Sequence, residues 1–318
     1  MKRCPLKLAP VPREVIWGGT KLKDKYSKEA PFDRIAESWE LSVRPEAVCR
    51  IDGGDFDGMF LSDYIASAGF DAVSPGWDGK HFPLLVKFID AGDDLSVQVH
   101  PDAGYALSHG CEQGKTEVWY IAEAEPGAEI VYGLKEGLSE DDFRRLVNES
   151  KTSEALRRLP VSAGESYFIP SGQVHALGRG VFVAEIQQNS DVTYRIDDYG
   201  RRQKDGTLRE LHTEQAKDVV RVRSDEYLNA LRFSRPAGPH TIVACDAFRT
   251  DLLTPDDLPT AVYVTEESFL SLLCTDGSGN IFFESQVFSV RKGDSYFVPA
   301  GTGKIILAGD MTCLITTL

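Results

Sequence analysis

The stretch GESYFIPSGQVHAL, residues 164–177, recurs as GDSYFVPAGTGKII at residues 293–306. A glycine, an acidic residue, Ser-Tyr-Phe, a β-branched residue, proline, a small residue and glycine repeat in register. Such a phrase reads as a strand followed by a tight turn. Aromatic and β-branched residues suit a pleated, half-buried surface, and proline and glycine supply the turn. Two copies constrain the chain to two β units on one plan. The copies part at their twelfth position, His175 in the first and Lys304 in the second. A neutral imidazole offers a lone pair to a metal, whereas a lysine ammonium offers none. The first unit is therefore expected to carry the chemistry, with the second a metal-free packing or lid-forming partner.

The rest of the chain agrees with this reading. Runs such as HFPLLVKFIDA, TEVWYIAEA and VFVAEIQQNS are short, β-branched or aromatic, and bounded by turn residues, which predicts strands. Segments 59–69, 139–150, 152–159 and 212–221 read as helices, with Ser139 and Asp142 in capping-box spacing and Gly69 as a cap. The expected fold is mainly β: two jelly-roll barrels with a few short helices. The Pro and Gly of RFSRPAGPH place a boundary near residue 235, giving a catalytic domain over 1–235 and a second domain over 236–318. A net charge of −14 argues against a nucleic-acid partner, though a basic cluster set in an acidic body could still take a small anion. No apolar run approaches the roughly 18 residues of a membrane span, and the N-terminus lacks the apolar stretch of a signal peptide. Six scattered cysteines without a C-x-x-C pair read as reduced thiols. A cytoplasmic protein with no membrane partner is expected, as a monomer or weak homo-oligomer.

Gly164, Pro170, Gly172 and His175 have the spacing of the second motif of the cupin jelly roll. Its first motif begins Gly, five residues, His, one residue, His; here Gly92 is followed by five residues and then Gln98, Val99 and His100. Strand alternation turns Gln98 and His100 to one side. Glu117 opens the next strand. Singly, each residue suits an ordinary core or surface place. Together, Gln98, His100, Glu117 and His175 make a two-oxygen, two-nitrogen set that suits Zn²⁺, one ion per chain.

At this point the chain resembles the type I mannose-6-phosphate isomerase family, in its short bacterial form. The resemblance rests on FPLLVKFIDAGDDLSVQVHPD at 82–102, GKTEVWYI at 114–121, PSGQVHALG at 170–178 and EIQQNSDVTYRIDDYGR at 185–201. It implies interconversion of mannose 6-phosphate and fructose 6-phosphate with one zinc on the same four ligands. It also implies an active-site arginine at Arg195, lysines at Lys87 and Lys115, a substrate-binding serine at Ser96, and an acidic residue at Asp191. Asp191 stands either as the proton-transfer base or as a salt-bridge partner that orients Arg195. Lys115 or Arg195 would stabilise an enediolate, and Lys87, Lys115 and Arg195 are the candidates for the phosphate. Longer members carry a histidine just before the lysine of the second segment, but this chain has Gly114, so that base cannot be carried over. Two other readings stand beside this one: an isomerase or epimerase of another sugar, and a non-catalytic sugar-binding cupin.

Overall fold

LLVKFID, residues 84–90, is apolar on both of its faces apart from Lys87 and the terminal Asp90, so both faces must be covered. The computed structural model describes every residue except 112, 234–238 and 256–257. In it this run is the strand Leu84–Asp90, buried at every position. It lies inside a seven-stranded sheet in the order Arg232–Phe233, Ser166–Ile169, Glu117–Ala124, Val181–Gln188, Leu84–Asp90, Glu37–Leu41, Val11–Arg13. One face of this sheet presents Val86, Phe88, Val118, Tyr120, Phe182 and Ile186 to Phe269, Leu273, Phe297 and Leu314 in a single core. The other face presents Ile89, Trp119, Ile121 and Val183 to Ile130, Tyr132 and Leu177. The seven-stranded sheet is thus the middle of three layers.

The layer on the second face is a five-stranded sheet, ordered Leu156–Pro160, Glu129–Leu134, His175–Leu177, Val97–Val99, Tyr194–Asp197. Its back is closed by the helices Glu140–Asn148 and Thr213–Val219, whose Phe143, Leu146, Ala216 and Val219 pack on Val97, Val99, Val131 and Ala176. The first of these helices starts on the expected capping box, with Ser139 Oγ and the Asp142 carboxylate bonding back reciprocally. The segment 152–159 departs from expectation. Only Thr152–Ala155 is helical; Leu156–Pro160 is a strand paired with Glu129–Leu134. A lone helix of two turns is marginal, and the sheet edge offers a ladder of hydrogen bonds instead.

The third layer is a ten-stranded sheet built mostly from the C-terminal part. The long strand Leu270–Phe283 pairs with Ser295–Val298 and Met311–Thr317 along its first half and with Gln286–Arg291 and Gly303–Ala308 along its second. The expected boundary near residue 235 lies outside the described residues. Strands from either side of it share this sheet, because Leu6–Ala9 pairs with Ser295–Val298. Two barrels are expected from the sequence; the described residues form a mainly β protein of open sheets, joined face to face by side-chain packing.

The repeated phrase is repeated structure. Ser166–Ile169 and Ser295–Val298 are equivalent strands. Gly164 and Gly293 have φ of 91° and 93°, and Gly172 and Gly301 have φ of 79° and 73°, values that favour glycine. The two twelfth positions differ in setting: His175 is buried, whereas Lys304 is exposed beside Tyr263 on the outer face of its sheet. Among the described residues, no helix is long and apolar enough to cross a membrane.

Candidate active site

Two rows of side chains face each other between the five- and seven-stranded sheets. On the first, strand register sets His175 opposite Gln98 and Gln98 opposite Arg195. On the second it aligns Trp119, Glu185, Lys87 and Trp39 across four strands. Alternation adds His100 to the first row and Glu117 to the second.

The Pro170–Gly172 turn delivers His175. Gly172 has no room for a side chain: a Cβ there would stand 2.8 Å from the carbonyl of Val219. Its N–H donates to the carbonyl of His100 at 2.8 Å, which ties the turn carrying one imidazole to the backbone of the other.

His100, Glu117 and His175 converge, each with 1% or less of its surface exposed. Nδ1 of His100 lies 2.9 Å from the carbonyl of Val192, and Nδ1 of His175 lies 2.8 Å from that of Gln173. A carbonyl only accepts, so each Nδ1 bears the proton and each Nε2 turns a lone pair inward. The two Nε2 atoms are 3.2 Å apart. Two nitrogens bound to one tetrahedral zinc-sized ion stand about 3.3 Å apart. Glu117 Oε1 is 3.3 Å from Nε2 of His175, and Oε2 is 3.5 Å from Nε2 of His100. Both carboxylate oxygens are buried and accept no hydrogen bond in good geometry. Facing lone pairs beside a buried carboxylate form a donor set that could hold a divalent cation, and the residues fit one. The side-chain amide of Gln98 stands beside this cluster, its Nε2 3.4 Å from Nε2 of His175; turning the amide over would present Oε1 instead.

Electrostatics keep these groups in the ligating forms. Burial, reinforced by the Lys115 ammonium, pushes the His100 imidazole down to about 3. Burial also lowers His175. For Glu117, burial opposes the charge, but the Lys115 ammonium holds the carboxyl well below its usual range. Lys115 Nζ sits 2.9 Å from Glu117 Oε2.

Above this cluster opens a cavity of about 560 Å³, lined in part by Lys87, Ser96, Gln98, Lys115, Asp191 and Arg195. The structure thus brings every expected residue to one place, though not always in the expected contact. Asp191 is at the rim, 71% exposed, and its carboxylate takes a hydrogen bond from Nη2 of Arg44 at 2.8 Å. The salt bridge to Arg195, one of the two roles open to Asp191, is not formed; Asp191 pairs with Arg44. Asp191 lies in the loop ahead of the edge strand, where its side chain turns to solvent. Arg195 Nη1 donates to the carbonyl of Glu210 at 2.7 Å instead.

The cavity also holds residues that the sequence did not single out: Glu37, Trp119, Glu185, Arg209 and His212. Glu185 accepts from Trp119 Nε1 at 2.9 Å, and its Oε1 lies 3.3 Å from Lys87 Nζ. A lone carboxylate inside the apolar run VFVAEIQQ was a usable signal, since buried acids are rare without a role. Arg209 and His212 sit in a polar stretch and gave no such sign.

Residues 6–123 match the model of the phosphomannose isomerase type I catalytic domain, and residues 241–318 match the mannose-6-phosphate isomerase cupin domain. A mannose-6-phosphate isomerase of Bacillus subtilis is 33% identical over 317 residues, covering 99% of this chain and 99% of its own. The chain belongs to the type I phosphomannose isomerase family. The mannose-6-phosphate isomerase of Streptococcus mutans is 33% identical over 296 residues, 93% of this chain and 92% of that one. A crystal structure of the Bacillus subtilis mannose 6-phosphate isomerase superposes with a TM-score of 0.87 at 31% identity, covering 99% of each chain. The catalytic-domain match contains Lys87, Ser96, Gln98, His100, Lys115 and Glu117, while His175, Asp191 and Arg195 lie beyond it.

Proposed function

We propose that the chain interconverts mannose 6-phosphate and fructose 6-phosphate through an enediol, in the cytoplasm, with one zinc ion held by Gln98, His100, Glu117 and His175. The observation that carries this reading is the pair of inward imidazole lone pairs 3.2 Å apart, set with a buried carboxylate under a cavity that lysines and arginines line. Two imidazoles, a carboxylate and an amide oxygen suit zinc and leave positions open. When bound, such an ion supplies Lewis acidity toward the oxygens on C1 and C2 of the sugar.

The remaining chemistry belongs to side chains. A base must take the proton from C2 of mannose 6-phosphate and return it to C1, while a second proton passes from the C2 oxygen to the C1 oxygen. Asp191 is poorly placed for this at the exposed rim. Glu185 lines the cavity, with a buried Oε1 that accepts no hydrogen bond in good geometry, and we assign it the carbon proton. Lys115 donates toward the oxygens and stabilises the enediolate as charge develops. Lys87 stays an ammonium: burial opposes its charge, but Glu37 and Glu185 outweigh that and raise its pKa. With Ser96 it holds sugar hydroxyls. Arg195 offers a planar fork to the phosphate.

A coupled assay of mannose 6-phosphate conversion, run with and without a chelator, tests the reading. Activity is expected to vanish on stripping and return with zinc, with about one zinc bound per chain. Glu185→Gln is expected to lower kcat by about 10²–10⁴-fold with zinc content kept. Full activity in the stripped protein, or wild-type turnover in Glu185→Gln, overturns the metal or the base assignment respectively. A panel of phosphorylated and free sugars separates an isomerase or epimerase of another sugar, and sugar binding without turnover would indicate a non-catalytic protein.

A further inference from the structure

Charge in the cavity is unevenly balanced. Lys87 lies 3.3 Å from Glu185 and 3.5 Å from Glu37. Lys115 lies 2.9 Å from Glu117. Around these lysines, buried carboxylates match or outnumber the ammonium groups, so a dianion placed there would meet repulsion as well as attraction.

The opposite holds at the Arg195 end. Asp198, only 4% exposed, accepts Nε of Arg209 at 2.8 Å and Nη2 of the same guanidinium, and also Nη2 of Arg201 at 2.5 Å. One carboxylate thus serves two arginines; Arg201 also donates to the backbone carbonyls of Asp94 and Asp198 and stands 3.8 Å from the exposed carboxylate of Asp93. Arg195 is hydrogen-bonded to a backbone carbonyl, and its Nε is buried without a partner. Of this group Arg195 and Arg209 line the cavity. Asp198 grips the Nε and Nη2 side of Arg209 and does not engage Nη1.

Register gives this end the right separation. His175, Gln98 and Arg195 lie on three successive strands, so Arg195 is about 10 Å from the His175 strand at the usual strand spacing. A hexose 6-phosphate carries its reacting carbons and its phosphate at opposite ends.

We propose that Arg209, fixed by Asp198, joins Arg195 to hold the phosphate of the substrate, and that Lys87 and Lys115 do not. The inference rests on the sugar-phosphate reading above and extends it. Arg209 is a binding residue, and Asp198 is a positioning residue that acts through it.

The test compares Arg209→Gln, Arg209→Lys, Asp198→Asn and Lys87→Met with wild type. Four readouts are used: KM and kcat for mannose 6-phosphate, inhibition by inorganic phosphate, zinc content and melting temperature. A charge-assisted hydrogen bond corresponds to roughly a 10- to 100-fold change in binding. Arg209→Gln is expected to raise KM by that order, more than kcat falls, and to weaken phosphate inhibition in proportion, with zinc content kept. Asp198→Asn should shift both in the same direction by less. Arg209→Lys should recover part of the loss, and serves as the decisive variant should the glutamine protein not fold. Lys87→Met should lose kcat and keep phosphate inhibition. Wild-type phosphate inhibition in folded Arg209→Gln or Arg209→Lys, or its loss in Lys87→Met alone, overturns the proposal. Should wild type fail to turn over mannose 6-phosphate, the function reading fails, while calorimetric titration with inorganic phosphate across the same variants still decides whether this end binds the anion.

Discussion

Gly114 shows the site decided at a single residue. Longer members of the family have a histidine at this position, but a Cβ here would stand 2.5 Å from the amide nitrogen of Ala103 and 2.6 Å from the carbonyl carbon of Asp102. Backbone cannot yield as a flexible side chain can, so no larger residue fits without moving the segment that carries Lys115. Gly114→His is expected to cost about 1–3 kcal/mol, the usual penalty of overpacking. It should lower kcat through the displaced ammonium. Thermal melts and steady-state kinetics check this, and a variant as stable and active as wild type would refute it. At this scale the convergence of His100, Glu117 and His175 was legible from spacing, because alternation and a glycine turn are local rules. Arg209 was not, because its importance comes from what lies across the gap.

Within the strand Leu84–Asp90, neighbouring residues serve different layers. Phe88 packs in the core shared with the C-terminal sheet, against Tyr26 and Phe182 at ring-centroid distances of 5.0 and 5.5 Å. Lys87 turns the other way, into the cavity. The two should therefore fail differently. Phe88→Ala is expected to cost about 3–5 kcal/mol from lost burial and the cavity left behind, with the folded fraction still turning over. Lys87→Met should lose turnover even in its folded fraction, and it should also cost stability because Glu37 and Glu185 are left without their ammonium. Denaturant melts beside kinetics corrected for folded fraction would show the separation, and an equal loss of turnover per folded molecule in both variants would break the two-face argument. The strand itself was readable as an apolar, β-branched run. Its faces were not, because a run apolar on both sides carries no alternation to say which side meets which partner. Leu156–Pro160 failed for a related reason, since its partner strand lies far enough away that only the folded sheet shows the pairing.

Across the whole molecule, ion pairs join the two halves of the chain. Glu123 accepts from Lys25 at 2.5 Å and from Lys292 at 3.1 Å, and Lys292 also lies 4.5 Å from the ring centroid of Tyr26. Burial opposes the charge on Glu123, but these lysines outweigh it and hold the carboxyl below its ordinary 4.5. A folded pKa below the unfolded one contributes stability above the unfolded value, and that stability is lost as pH falls through the folded value. Glu123→Gln should therefore melt below wild type at neutral pH, with the gap closing below about pH 4. A gap that persists unchanged in acid would exclude the ion pairs as its source. The sequence by itself determined the mainly β class, the repeated turn and the meeting of His100, Glu117 and His175, because strand period, glycine conformation and motif spacing act over a few residues. Only the tertiary structure decided that strands from both ends of the chain share one sheet, that Asp191 pairs with Arg44, and that the lysines of the cavity face carboxylates of their own while Arg209 shares Asp198 with Arg201 and Arg195 bonds to a backbone carbonyl. Those outcomes depend on which charges and apolar faces are brought together from distant parts of the chain, and local pattern carries no record of that.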